Sequence, residues 1–163
     1  MVCANNHLKM VLNRQKKIRL SPFALRRFLR EILRELKLEN VDVAIAFVSD
    51  AEIASWNESY RRKKGPTDVL SFPALTQWRS EKPRRVPGRR EKRVGRAEKF
   101  LGDIAISPET ARRYAKEGGG TLQRELRVLM LHGVLHLMGY DHESDNGQMN
   151  RIEQKLRRRL GIA

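Results

Sequence analysis

The sequence predicts an α+β domain: a small mixed β-sheet surrounded by helices, with a metal site on a long helix and the turn after it. Three observations predict it. Apolar residues recur at helical spacing in several separate stretches. Short stretches with strand character lie between them. The order runs helix, strand, helix, strand, insertion, strand and then helices, which suits a sheet with helices packed on it.

Ser21-Pro22 opens the first helix, because serine accepts a bond from an orphan amide and proline suits the first helical position. Leu25, Phe28, Leu29, Ile32, Leu33 and Leu36 then form its core face, while Arg26, Arg27, Arg30 and Arg34 occupy other faces. Val41, Val43, Ile45 and Phe47 alternate with Asp42, Ala44 and Ala46, a strand with one richly apolar face. Asp50 is expected to cap a short helix running through Trp56 and Tyr60. Val69 to Phe72 forms a second short strand closed by Pro73. Residues 76 to 100 then lose apolar periodicity and are read as a basic insertion, either gripping phosphates or merely solvated.

Leu101 to Ile106 is the third strand, and Ser107-Pro108-Glu109 repeats the cap-then-proline helix start. Gly118, Gly119 and Gly120 end that helix. Thr121 opens a long one carrying Leu122, Leu126, Leu129, Val134 and Leu137, which Gly139 terminates by taking a left-handed conformation. The last helix is expected to begin near Ser144 or Asp145, with Met149, Ile152, Leu156 and Leu160 inward, and to stop at Gly161. One domain over residues 1–163 is expected from the length and the lack of internal repeats.

The formal net charge is +15 and the isoelectric point about 10.7, a balance that attracts polyanions such as nucleic acid. Cys3 is the sole cysteine, so no intrachain disulfide can form, and a reducing cytoplasm is the expected location. The leader MVCANNHLKMVLNRQKK has apolar runs too short for a signal peptide or a spanning helix, so no membrane is expected. His7 lies in this polar leader and is read as solvated.

The chemistry concentrates in HGVLHLMGYDH, which holds three of the four histidines. Four residues on a helix bring His136 back to nearly the same face as His132, about 6 Å along the axis. Gly139 lets the chain reverse, so that His142 can supply a third imidazole. Three imidazoles suit zinc, with nickel or another divalent ion also acceptable. The spacing matches that of one class of zinc proteases, in which a glutamate follows the first histidine as general base. Gly133 stands there instead, which argues against peptide hydrolysis. No cysteine is near to close a fourth position. Asp141 is read as support for a ligand ring or for the turn, so the expected metal keeps room for a water made acidic by coordination.

A second constellation, NESYRRKKGPTDVLSFP, places Arg61 beside Arg62, Lys63 and Lys64. A guanidinium makes paired bonds to phosphate and keeps its charge, so Arg61 is the candidate catalytic cation. Thr67, Asp68 and Ser71 are read as shaping a turn and a strand edge. In LGDIAIS, Asp103 interrupts an apolar run and faces either the site or a neighbouring strand.

HGVLHLMGYDH is similar to the signature of the YbeY family, the bacterial rRNA maturation factors described as endoribonucleases. NESYRRKKGPTDVLSFP and LGDIAIS resemble that family's other two motifs in the same order, over roughly residues 41 to 160. The resemblance implies a zinc-type hydrolase of single-stranded RNA that acts in processing of the small-subunit rRNA 3′ end and in ribosome quality control. It puts His132, His136 and His142 at the metal-ligand positions and Arg61 at that of a functionally important arginine. Many members look shorter between Pro73 and Leu101. Two rivals remain at this point: a metalloprotease-like hydrolase, and a non-enzymatic ribosome assembly factor with a structural metal.

Overall fold

The computed structural model describes residues 9–74, 99–140 and 146–163. Most of the basic insertion, His7, Asp141, His142 and the expected helix start at Ser144 or Asp145 lie outside the described residues. Among those described are strands β1 (Lys9–Asn13), β2 (Val41–Phe47), β3 (Val69–Pro73) and β4 (Lys99–Ile106). The helices are α1 (Pro22–Glu35), α2 (Asp50–Arg61), α3 (Pro108–Glu117), α4 (Leu122–Leu137) and α5 (Gln148–Arg159). The four strands form one mixed sheet in the order β1-β2-β4-β3, with β1, β2 and β4 parallel and β3 antiparallel to β4. This is the expected α+β architecture.

Side chains alternate across the strands, so each face takes its own helices. On one face Val43, Ile45, Phe47, Ile104 and Ile106 pack in the main core with the apolar sides of α1, α4 and α5. On the other, Ala46, Leu70 and Ala105 meet Ile53 and Trp56 of α2 in a smaller cluster. No helix among the described residues is long and apolar enough to cross a membrane.

Helix starts at Ser21, Ser107 and Thr121 are as expected, each side chain accepting the backbone N–H three residues on. Three details differ. Ser49, not Asp50, caps α2, because the Ser49 hydroxyl accepts from the Glu52 amide. Asp50 is thereby released to hold α3: its carboxylate accepts from Ser107, Thr110 and Arg113. Burial alone would push that carboxyl up, but these hydrogen bonds prevail and hold it below its ordinary value. The second difference is β1, a strand inside the stretch read as a polar leader; it runs along the sheet edge, Val11 opposite Ile45. The third is the start of β4, where Lys99 and Phe100 belong to the strand rather than to the insertion.

Two glycines let α4 and the strands come close. Gly102 sits where the β2–β4 register slips, between the pairs Asp42–Phe100 and Val43–Gly102. Its φ is +145°, and a Cβ there would lie 2.3 Å from the Phe72 carbonyl oxygen. Gly133 of α4 lies against β4, where a Cβ would meet Ile104 at 2.9 Å. Its backbone carbonyl also accepts from the Ser71 hydroxyl at 3.4 Å. Together they bring α4 down onto β3 and β4 and set its outward side over the cleft described next.

Candidate active site

His132 and His136 lie on α4, and their rings turn toward each other with the two Nε2 atoms 3.1 Å apart. The ring centroids are 4.6 Å apart and the planes cross at 73°. The i,i+4 spacing produces this convergence directly, since both side chains leave the same helix face. Two nitrogens bound tetrahedrally to one ion at about 2.0–2.1 Å must sit roughly 3.3 Å apart. The observed pair is therefore close to that separation without rearrangement.

The other nitrogen of His132 is fixed by a residue that sequence reasoning did not single out. Its Nδ1 lies 3.0 Å from Oε2 of Glu153, on α5. Glu153 is buried, and its second oxygen accepts from Arg157 one turn later, through Nε at 2.9 Å and through the terminal guanidinium nitrogen. Burial alone would raise the Glu153 carboxyl. The hydrogen bonds from His132 and Arg157 outweigh it, and the carboxyl stays ionised below its usual range. A carboxylate on Nδ1 makes that nitrogen the donor, so Nε2 is the unprotonated nitrogen of His132, the one that faces His136 Nε2 at 3.1 Å. The one sequence signal for Glu153 was a charge on the inward half of an amphipathic helix, with an arginine four residues on.

In front of the two rings opens a cleft of about 720 Å³, walled by α2, β3, α4 and α5. Arg61, the last residue of α2, lines it together with His132, His136 and Arg157. Arg61 is exposed and has no acidic partner among the described residues, so its guanidinium stays available to an anion. Arg62 takes a left-handed conformation, with φ +55°, and turns the chain out of α2. Buried Asn57 then anchors the returning loop by donating to the Gly65 carbonyl at 3.0 Å. Asp68 shapes the entry to β3, accepting from the Thr67 hydroxyl and the Val69 amide. Thr67, Asp68 and Ser71 thus do hold the turn and strand edge, and they also line the cleft.

The remaining candidates separate. Asp103 lines a different hollow, on the opposite face of the sheet, and does not line the histidine cleft. His142 lies outside the described residues. Among the described residues no three His, Cys, Asp or Glu side chains gather as a metal site. The position of the protease base is closed: Gly133 faces Ile104 rather than the cleft, and a glutamate there would drive its Cβ into β4.

Comparison with known proteins places the chain in a family. The family model described as endoribonuclease YbeY matches residues 10–161. An endoribonuclease YbeY from Solibacter usitatus is 38% identical over 139 residues, 85% of this chain and 79% of that protein. One from Aquifex aeolicus is 33% identical over 144 residues, 88% of this chain and 85% of that protein. A Thermotoga maritima protein known from its solution structure superposes with a TM-score of 0.57 at 30% identity, covering 90% of this chain and 84% of that one. With a family model spanning nearly the whole sequence and relatives matched over most of their own length, the chain belongs to the endoribonuclease YbeY family.

Proposed function

We propose that this protein is a metal-dependent endoribonuclease for single-stranded RNA, acting in the cytoplasm on rRNA, including maturation of the small-subunit rRNA 3′ end, and in ribosome quality control. One observation carries the catalytic part: two imidazole nitrogens 3.1 Å apart share a cleft with Arg61. Membership of the family supports RNA as the substrate, and the net charge of +15 suits a polyanion.

His132, His136 and His142 would hold one ion, zinc by donor type or another divalent metal such as nickel. Such an ion supplies an activated water and a Lewis acid for a phosphoryl oxygen. The chain's own residues do the rest. Glu153 keeps the His132 ring turned and its Nδ1 protonated. Arg157 holds Glu153 ionised and adds positive charge at the cleft wall. Arg61 takes the phosphate by its paired N–H donors and stabilises the negative charge that grows on the non-bridging oxygens during displacement. The small-subunit precursor and the ribosomal small subunit are the proposed partners.

The test is cleavage of a defined single-stranded RNA by metal-replete and metal-stripped protein, with His136→Ala run alongside to expose contaminating ribonuclease. Activity should appear only in replete wild type, with circular dichroism unchanged on stripping. Equal cleavage by all three preparations would overturn the reading. The product ends decide the nucleophile, because a 2′,3′-cyclic phosphate means attack by the neighbouring 2′-hydroxyl.

A further inference from the structure

Tyr60 stands 70% exposed, although it belongs to the last turn of a helix packed on the sheet. It lies on the ridge between two depressions. One is the histidine cleft, which it lines beside Arg61. The other is a hollow of about 490 Å³ on the opposite side, floored by Ala44, Ala46 and Ala105 and walled by Trp56 and Phe72. Tyr60 and Phe72 line both. The ring is held in place from beneath. It packs edge-on against Phe72, centroids 5.1 Å apart and planes at 71°. Phe72 is braced in turn by Trp56 at 6.3 Å and 87°. The Arg14 guanidinium lies 6.0 Å from the Trp56 ring centroid and is tied to Glu52 at 2.8 Å. An exposed aromatic ring supported from one side by other rings leaves its other side to solvent, at a cost in hydration.

We propose that Tyr60 is a stacking platform for a nucleobase of single-stranded RNA adjacent to the phosphate held at Arg61. The inference rests on the function proposed above and adds the substrate contact that selects unpaired RNA. Arg61 follows Tyr60 immediately, so an ionic and an aromatic group project from neighbouring points of one helix end, as phosphate and base project from one nucleotide. Every base has a π face, so the contact tolerates sequence. A base can reach the ring only after leaving a helical stack, so duplex is discriminated against. The strand then crosses the ridge from the cleft toward the hollow, where small alanine side chains leave room beside the aromatic wall. The ridge is continuous with the histidine cleft and carries Arg61 at the cleft edge, a cation that suits a polyanionic strand better than a protein segment, while on the hollow side Arg14 is tied to Glu52 and Asp103 lines the wall.

The test uses the metal-replete protein and an RNA octamer carrying 2-aminopurine on either side of the cleavage site. Wild type should quench the fluorophore at one of these positions. Tyr60→Ala and Tyr60→Leu should abolish the quenching and raise KM by about tenfold or more, with kcat changed much less. Tyr60→Trp and Tyr60→Phe should restore both. An abasic nucleotide at the quenched position should weaken wild type to the level of Tyr60→Ala and should not weaken that variant further. Unchanged KM and quenching in Tyr60→Ala, with cleavage intact, would overturn the platform, leave the hydrolase standing, and assign the ring to a protein surface. Loss in Tyr60→Phe equal to that in Tyr60→Ala would overturn it too, since the hydroxyl rather than the ring would be acting. Tyr60-dependent quenching without cleavage by wild type would uphold the platform and defeat the hydrolase.

Discussion

At the scale of single residues, the site rests on what each polar group is left free to do. His132 and His136 were legible because four residues on a helix always return to one face, whatever the tertiary structure. Their partner was not, since Glu153 lies 21 residues beyond His132 and reaches it only when α5 packs against α4. A carboxylate on the far nitrogen of a metal-binding histidine typically contributes 10–100-fold in affinity. Glu153→Gln should therefore weaken metal binding by about that factor, measured by competition with a chromophoric chelator. Unchanged affinity would reduce Glu153 to a packing residue. Arg61 is expected to act differently. Arg61→Ala should retain its metal yet lose on the order of 100-fold in kcat, the usual cost of deleting one charge-stabilising donor. Normal turnover by that variant would remove Arg61 from the chemistry.

At the scale of elements, close approach and capping decide stability. Gly133→Ala places a methyl 2.9 Å from Ile104, and overpacking of this kind costs about 1–3 kcal/mol. Gly102→Ala should cost more, because its φ of +145° disfavours any side chain and its Cβ would meet a backbone oxygen at 2.3 Å. Urea unfolding of both variants checks the order, and equal stability would contradict the register slip as the reason for glycine. The α2–α3 junction carries a pH dependence. Asp50 titrates lower folded than unfolded, so its contribution is complete above its ordinary value of 3.8 and fades as pH falls through the folded value. Asp50→Asn should be less stable than wild type near neutrality, and the gap should shrink in acid below about 3.8. A constant gap would mean that shape rather than charge holds the junction. The sequence showed that a helix begins near Asp50. Choosing Ser49 as its cap required knowing that Ser107, Thr110 and Arg113 claim the aspartate.

At the scale of the whole molecule, 34 Lys and Arg against 19 Asp and Glu predict binding governed by counterion release. The logarithm of RNA affinity should fall linearly with the logarithm of salt, by roughly 0.7 for each single-strand phosphate neutralised. A flat profile would leave the charge without a functional role. The α+β class, the main helices, three of the four strands among the described residues and the histidine pair were legible in the chain's local pattern. Those features follow from local periodicity and from capping chemistry within a few residues. The tertiary structure alone decided the rest: the edge strand β1, the order β1-β2-β4-β3, the one cleft that Arg61, His132 and His136 all line, the Glu153–Arg157 support, and the placing of Asp103 on the other face. Of residues 10–13 only Val11 is buried in the main core, and the strand is defined by its pairing with β2 along one edge, so no local pattern marks it as a strand. Neighbours distant in sequence are chosen by sheet register and helix packing, and a single stretch of chain carries neither.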